Sequence, residues 1–85
     1  MNIELRFFAS LRESLGKDRE RAALPPEVKT VGDLRGWLAS RGEDWEAVLG
    51  GARPVRAALD QTMVTADAAL HEGAEVAFFP PVTGG

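Results

Sequence analysis

The residues best suited to chemistry stand at the C-terminus, where Ala77-Phe78-Phe79-Pro80-Pro81-Val82-Thr83 runs into Gly84 and Gly85. Gly85 is expected to carry a free carboxylate. Another protein's active site can reach a backbone carboxylate only along a thin, extended approach, and glycine, without a Cβ, is the thinnest residue. Pro80 and Pro81 restrict the base of the tail, so less conformational entropy is lost on capture, and six residues from Pro80 reach roughly 20 Å when extended. The expected site is therefore Gly85 as the reacting residue, with Val82, Thr83 and Gly84 inserting behind it. Two glycines alone carry little weight; the strand, double proline, short spacer and Gly-Gly stop carry it together.

A carboxylate is a poor acyl donor because oxide would have to leave. Attack on the α-phosphate of ATP gives an acyl-adenylate, from which a sulfur nucleophile can displace AMP and leave a thiocarboxylate. This chain has no cysteine and no glycine-rich phosphate loop with its lysine. Activation, the ATP it consumes and the sulfur are all expected from partners, with no cofactor bound to the chain itself. Phe8, Phe79, Pro80 and Pro81 are candidates for a partner interface, because exposed apolar patches on small domains are most often contact surfaces. For Phe8 the simpler expectation is packing beneath a neighbouring segment, and for Phe79 burial competes evenly with contact. Arg6, Arg12 and Arg56 read as solvated surface charges that a partner's acids can also meet. Trp37 and Trp45 read as helix-packing residues, and His71 as a turn residue with no carboxylate or cysteine ligand near it, hence no metal site.

The tail needs a rigid domain behind it. With 85 residues there is room for one modest core. A net charge of −3 speaks against nucleic acid, which calls for a clustered basic surface. The longest apolar run, Val76 to Val82, is too short to span a membrane, and the start has no targeting pattern. A cytoplasmic location is expected. The expected division is a domain over residues 1–81 and a flexible tail over 82–85.

Ile3, Leu5 and Phe7 alternate with polar residues, predicting a strand with one buried face. Leu11 and Leu15 predict a short helical turn ended by Gly16, and Asp18 to Leu24 a charged edge strand antiparallel to the first. Thr30 followed by Asp33 opens the main helix as a capping box, carrying Val31, Leu34, Leu38 and Arg41 on one stripe up to Gly42. Gly36 inside that helix suggests close contact with the sheet. A shorter helix is predicted over Asp44 to Leu49. A strand follows from Pro54 to Asp60, then a short one at Met63 to Thr65, a turn over Ala69 to Gly73 and a last strand from Glu75 to Phe79. A right-handed crossover through the main helix lays the later chain beside the first strand. The predicted fold is α+β, a mixed sheet gripping one main helix in the ubiquitin-like β-grasp arrangement. A ferredoxin-like alternative needs a second full helix, for which Thr65 to Gly73 is too short and polar.

The ending from Glu75 to Gly85 resembles the small, sulfur-carrying subunits of molybdopterin synthase. Arg6-Phe7-Phe8-Ala9 with Arg12-Glu13, Thr30-Val31 with Leu34, and Ala58-Leu59-Asp60-Gln61-Thr62-Met63-Val64 are similar to the same family. The resemblance implies adenylation of the terminal glycine by an adenylyltransferase of the ubiquitin-activating type and sulfuration from a sulfur donor protein. It further implies insertion of the tail into the synthase large subunit, within a heterotetramer, and sulfur transfer to a pterin precursor of the molybdenum-binding dithiolene. Gly73-Ala74-Glu75 stands where the family often has Gly-Asp-Glu, which puts one turn hydrogen bond in question. Two other readings remain: the same carrier chemistry serving thiamine synthesis or tRNA thiolation, and a ubiquitin-like modifier joined to lysines through Gly85.

Overall fold

The computed structural model describes residues 1–51 and 53–81. The tail residues Val82, Thr83, Gly84 and Gly85, and with them the expected segment 82–85, lie outside the described residues. Among the described residues the chain forms β1 (Asn2–Phe7), α1 (Ala9–Leu15), β2 (Arg19–Ala23), α2 (Val31–Ala39), α3 (Glu43–Leu49), β3 (Arg56–Leu59), β4 (Thr62–Val64) and β5 (Glu75–Phe79).

The sheet order is β2-β1-β5-β3-β4. β1 and β2 are antiparallel neighbours and β5 lies parallel to β1, the placement expected of a crossover through α2. β3 closes on the other side of β5, antiparallel to it and to β4. This is the β-grasp arrangement. No helix among the described residues is long and apolar enough to cross a membrane.

Period-2 alternation sends Ile3, Leu5 and Phe7 of β1 and Val76 and Phe78 of β5 into one core, each about 1% exposed or less. Leu34 and Leu38 of α2 cover them from the helix side. Phe7 sits at the centre of an aromatic contact set, stacked on Phe78 at 6.3 Å and edge-on to Trp45 at 5.6 Å. Such pairs add about 0.5–1.5 kcal/mol to the burial of their area.

The capping box forms as its spacing predicts: Asp33 N–H donates to Thr30 Oγ1 at 3.0 Å, and Thr30 N–H donates back to Asp33 Oδ2 at 3.1 Å. Aspartate is thus long enough here, and its Oδ2 also accepts from Lys29 N–H. The expected contact of Gly36 with the sheet is not found, since a Cβ built there meets nothing within 4 Å. The close approach belongs to Gly32, one turn earlier, where a Cβ would lie 3.1 Å from the Ala66 carbonyl oxygen and Gly32 N–H donates to that same oxygen. α2 ends at Ala39 with Ser40 as its cap, so Arg41 lies beyond the helix instead of within its stripe.

Between β3 and β4 the chain reverses in two residues, Asp60 and Gln61, both with positive φ (49° and 70°). The turn before β5 is closed by main-chain bonds, Gly73 N–H donating to the Asn2 carbonyl and Ala74 N–H to the His71 carbonyl, while the Ala74 side chain is fully buried and offers no acceptor of its own.

Candidate functional site

β5 is the element that carries the tail. Its alternation sends Phe78 into the core and turns Phe79 to the open face of the sheet, half-buried, with Pro80 and Pro81 half-buried after it. Pro80 follows the last residue of the strand, as expected of a residue that cannot donate to a ladder.

Phe8 is not covered by a neighbouring segment. It is 40% exposed, and its ring meets Phe79 edge-on at 6.4 Å. The chain turns sharply out of β1 at Ala9, which has φ 53°, a left-handed conformation that costs an alanine about 1–2 kcal/mol. That turn starts α1 and leaves Phe8 standing on the open face. The Arg6 guanidinium lies 5.3 Å from the Phe8 ring centroid and 3.6 Å from the Glu75 carboxylate. Of the expected site residues, the fold therefore brings Phe8 and Phe79 together beside Pro80 and Pro81. Met63, 50% exposed, shares their face of the sheet, and nothing local in the sequence reveals this because it depends on register across three strands.

Two ionic clusters flank the site without entering it. Glu20 on β2 accepts two bonds from Arg41, at 2.8 and 2.6 Å, and one from Lys17 at 3.0 Å. The Arg41 guanidinium holds its pKa down to about 2, against the opposing pull of partial burial. The same guanidinium lies between Trp37 and Trp45, 4.9 and 4.7 Å from their ring centroids. The second cluster corrects the expectation for His71. Asp60, brought across from the β3–β4 turn, places Oδ2 2.6 Å from His71 Nε2, while its Oδ1 accepts from Glu75 N–H at 2.9 Å. Asp60 raises the His71 pKa, aided by the Glu72 carbonyl, and the Asp60 carboxyl is itself lowered, first by the Glu75 N–H and then by His71. Among the described residues no group of three or more His, Cys, Asp or Glu side chains converges as a metal site.

What the geometry offers is a rigid stub. A central strand ends in two prolines beside an aromatic pair, and the reacting atoms assigned to Gly85 belong to the chain beyond it.

Comparison with known proteins agrees with this arrangement. The ThiS family profile matches residues 5–85. The molybdopterin synthase sulfur carrier subunit of Escherichia coli (strain K12) is 42% identical over 98% of this chain and 99% of its own length. Among solved structures, SAMP1 (small archaeal modifier protein 1) from Haloferax volcanii superposes with a TM-score of 0.80 at 27% identity, covering 100% of both chains. The fold is also shared with a chain from the protein–protein complex of subunits 1 and 2 of the molybdopterin-converting factor from Helicobacter pylori 26695, at TM-score 0.68 and 23% identity over 100% of both. The sheet order, the tail-bearing central strand and matches over nearly the whole sequence lead to one assignment: the chain belongs to the ThiS family.

Proposed function

We propose that this chain is the sulfur-carrier subunit of molybdopterin synthase and acts through Gly85. The observation that carries the reading is the placement of β5, a central strand whose Phe79-Pro80-Pro81 end delivers the following residues from a closed core. The full-length relatedness to a named sulfur carrier subunit supports it.

In this reading the Gly85 carboxylate oxygen attacks the α-phosphorus of ATP within an adenylyltransferase of the ubiquitin-activating type, and pyrophosphate leaves. Hydrosulfide supplied by a donor protein then attacks the Gly85 carbonyl carbon, the bond to AMP breaks, and a thiocarboxylate remains once the added sulfur has lost its proton. Phe8, Phe79, Pro80 and Pro81 seat the carrier on the large subunit. Val82, Thr83 and Gly84 thread toward the pterin precursor, and the sulfur is passed on. The chain supplies binding and delivery, while partners supply activation and sulfur. The assembled synthase is a heterotetramer of two large and two small subunits.

Deleting Gly85 tests this directly. The truncated chain keeps its circular dichroism spectrum and melting temperature but delivers no sulfur to the pterin precursor; continued dithiolene formation by the truncated chain defeats the reading. The likeness to SAMP1 favours a second reading, a protein modifier attached through Gly85. Intact-mass analysis of the protein from its host separates the two: sulfur replaces oxygen at the terminus of a carrier, and a lysine cross-link marks a modifier.

A further inference from the structure

On the helix side of the sheet, away from the face that Phe8 and Phe79 occupy, a groove of about 740 Å³ opens between α2 and the β3–β4 edge. Its walls are mostly apolar: Val31 of α2, Val55 just before β3, Ala57 on β3, Val64 of β4 and Ala68 beyond it. Ala57 stands opposite core-facing Phe78 in the ladder, so it too faces the helix. Val55, Ala57, Val64 and Ala68 are only half-buried, and the tail-delivery reading gives this side of the molecule no task.

A fixed cation also lines the groove. Arg35 on α2 donates through Nε to the Leu49 carbonyl at 2.8 Å and through Nη2 to the carbonyls of Gly50, at 3.0 Å, and Arg53. These bonds close the end of α3 and hold the guanidinium in one place, but three carbonyls carry no formal charge. Among the described residues no carboxylate pairs with Arg35, and its Nη1 makes no bond. The one acid among the lining residues, Asp67, accepts from Thr65 Oγ1. Apolar walls beside a preorganised, uncompensated guanidinium are complementary to a slender apolar chain that ends in a carboxylate. This chain carries such a segment close to the groove's mouth. Arg56 pairs with Phe79 across roughly 5 Å, and Val55, the residue before Arg56, already lines the groove. Beyond Pro81 the sequence continues through Val82, Thr83, Gly84 and Gly85, which reach roughly 13 Å and supply one apolar side chain, two glycines and a terminal carboxylate.

We infer that the free chain holds its own tail in this groove, with Val82 against Val55 and Val64 and the Gly85 carboxylate accepting from Arg35 Nη1. The loop to be closed is short and Pro80 and Pro81 fix its root, so capture costs little entropy. A partner then meets a tail that must first leave the groove, and only the released fraction can enter an active site. A thiocarboxylate keeps the negative charge and is held in the same way. The holding contact rests on the groove and Arg35; its consequence for activation rests on the carrier reading.

Backbone amide shifts measured by NMR test the inference on three forms of the chain: full length, truncated after Pro81, and full length with Gly85 as its terminal amide. The Gly32, Val64 and Ala68 amides of the full-length chain differ from those of the truncated chain. In the amide form, which has lost only the terminal charge, they move back toward the truncated positions. No residue of the fold is changed in this series, and circular dichroism verifies that all three forms are folded. ATP–pyrophosphate exchange by the activating enzyme gives a second readout. Arg35→Gln lowers the KM for the carrier about threefold at unchanged kcat, as expected when about two-thirds of the tails had been withheld; mere loosening of the α3 end does not lower KM. Groove shifts that are identical in the three forms, or a KM that stays or rises in folded Arg35→Gln, overturn the inference. Sulfur delivery by the thiocarboxylated wild type is measured in parallel. Delivery without tail-dependent groove shifts defeats the holding contact and leaves the carrier reading standing; tail-dependent groove shifts without delivery do the reverse.

Discussion

Replacing Glu20 with glutamine removes the negative charge that Arg41 and Lys17 share while keeping the side chain's shape. In the folded chain the Glu20 carboxyl is lowered from 4.5 to about 2. Taken in full, that shift corresponds to about 3 kcal/mol of stability at neutral pH. The Glu20 side chain keeps 18% of its surface in water at the sheet edge, so screening reduces the expected contribution to about 1–2 kcal/mol. The sign follows from a depressed acid: the contribution is complete above pH 4.5 and is lost as pH falls through the folded value near 2.

Trp37 and Trp45, the chain's two tryptophans, stack on the Arg41 guanidinium, so their fluorescence reports the very contact being perturbed. In urea, with a slope of about 1 kcal/mol per molar for a chain this small, Glu20→Gln lowers the midpoint by about 1–2 M at pH 7. The gap between wild type and variant then closes as pH falls from 4.5 toward 2. Other lowered carboxyls, those of Asp33, Asp60 and Asp67, titrate in both proteins and cancel in the difference. Identical midpoints at pH 7, or a gap of constant size down to pH 2, refutes the assignment of this stabilisation to Glu20.

Two glycines on the same helix should respond in opposite directions. Gly36→Ala raises stability by about 0.5–1 kcal/mol, because its Cβ enters open space and the helix gains propensity, whereas Gly32→Ala lowers it, because its Cβ meets the Ala66 carbonyl; thermal melts of the two variants decide this. For His71, the folded pKa is raised above 6.5 by Asp60, so the pair's contribution is complete below 6.5 and fades as pH rises through the folded value. Imidazole proton shifts followed by NMR should titrate above the ordinary range in the wild type and return to it in Asp60→Asn.

The parts of the fold that depend on near neighbours were readable from the chain. Ile3, Leu5 and Phe7 announce β1 through their period, and Thr30 with Asp33 announces the start of α2 because both halves of a capping box lie within four residues. The errors fall where a contact depends on which face of an element meets distant chain. Gly36 looked like the point of close approach, but α2 turns Gly32 toward the 65–68 loop. His71 and Asp60 are eleven residues apart and meet only because β3 and β5 pair. The two-residue turn at Asp60-Gln61 holds positive φ without a glycine to mark it. At the site, the Gly-Gly ending and the aromatics beside it are legible by residue type. The presence of Met63 on the same open face is not, because the registers of β4 on β3 and of β3 on β5 must both be known first.

The position of β5 also determines how the molecule bears load. The strand is held on one side by β1 and on the other by β3, so a pull at Pro81 along its axis strains both ladders in shear. An edge strand pulled the same way would be held by one ladder; here the bonds between Glu75 and Phe79 resist on both sides together. A partner that drags the following residues into a narrow channel therefore pulls against a fixed anchor, and the mechanical work goes into moving the tail instead of unravelling the domain.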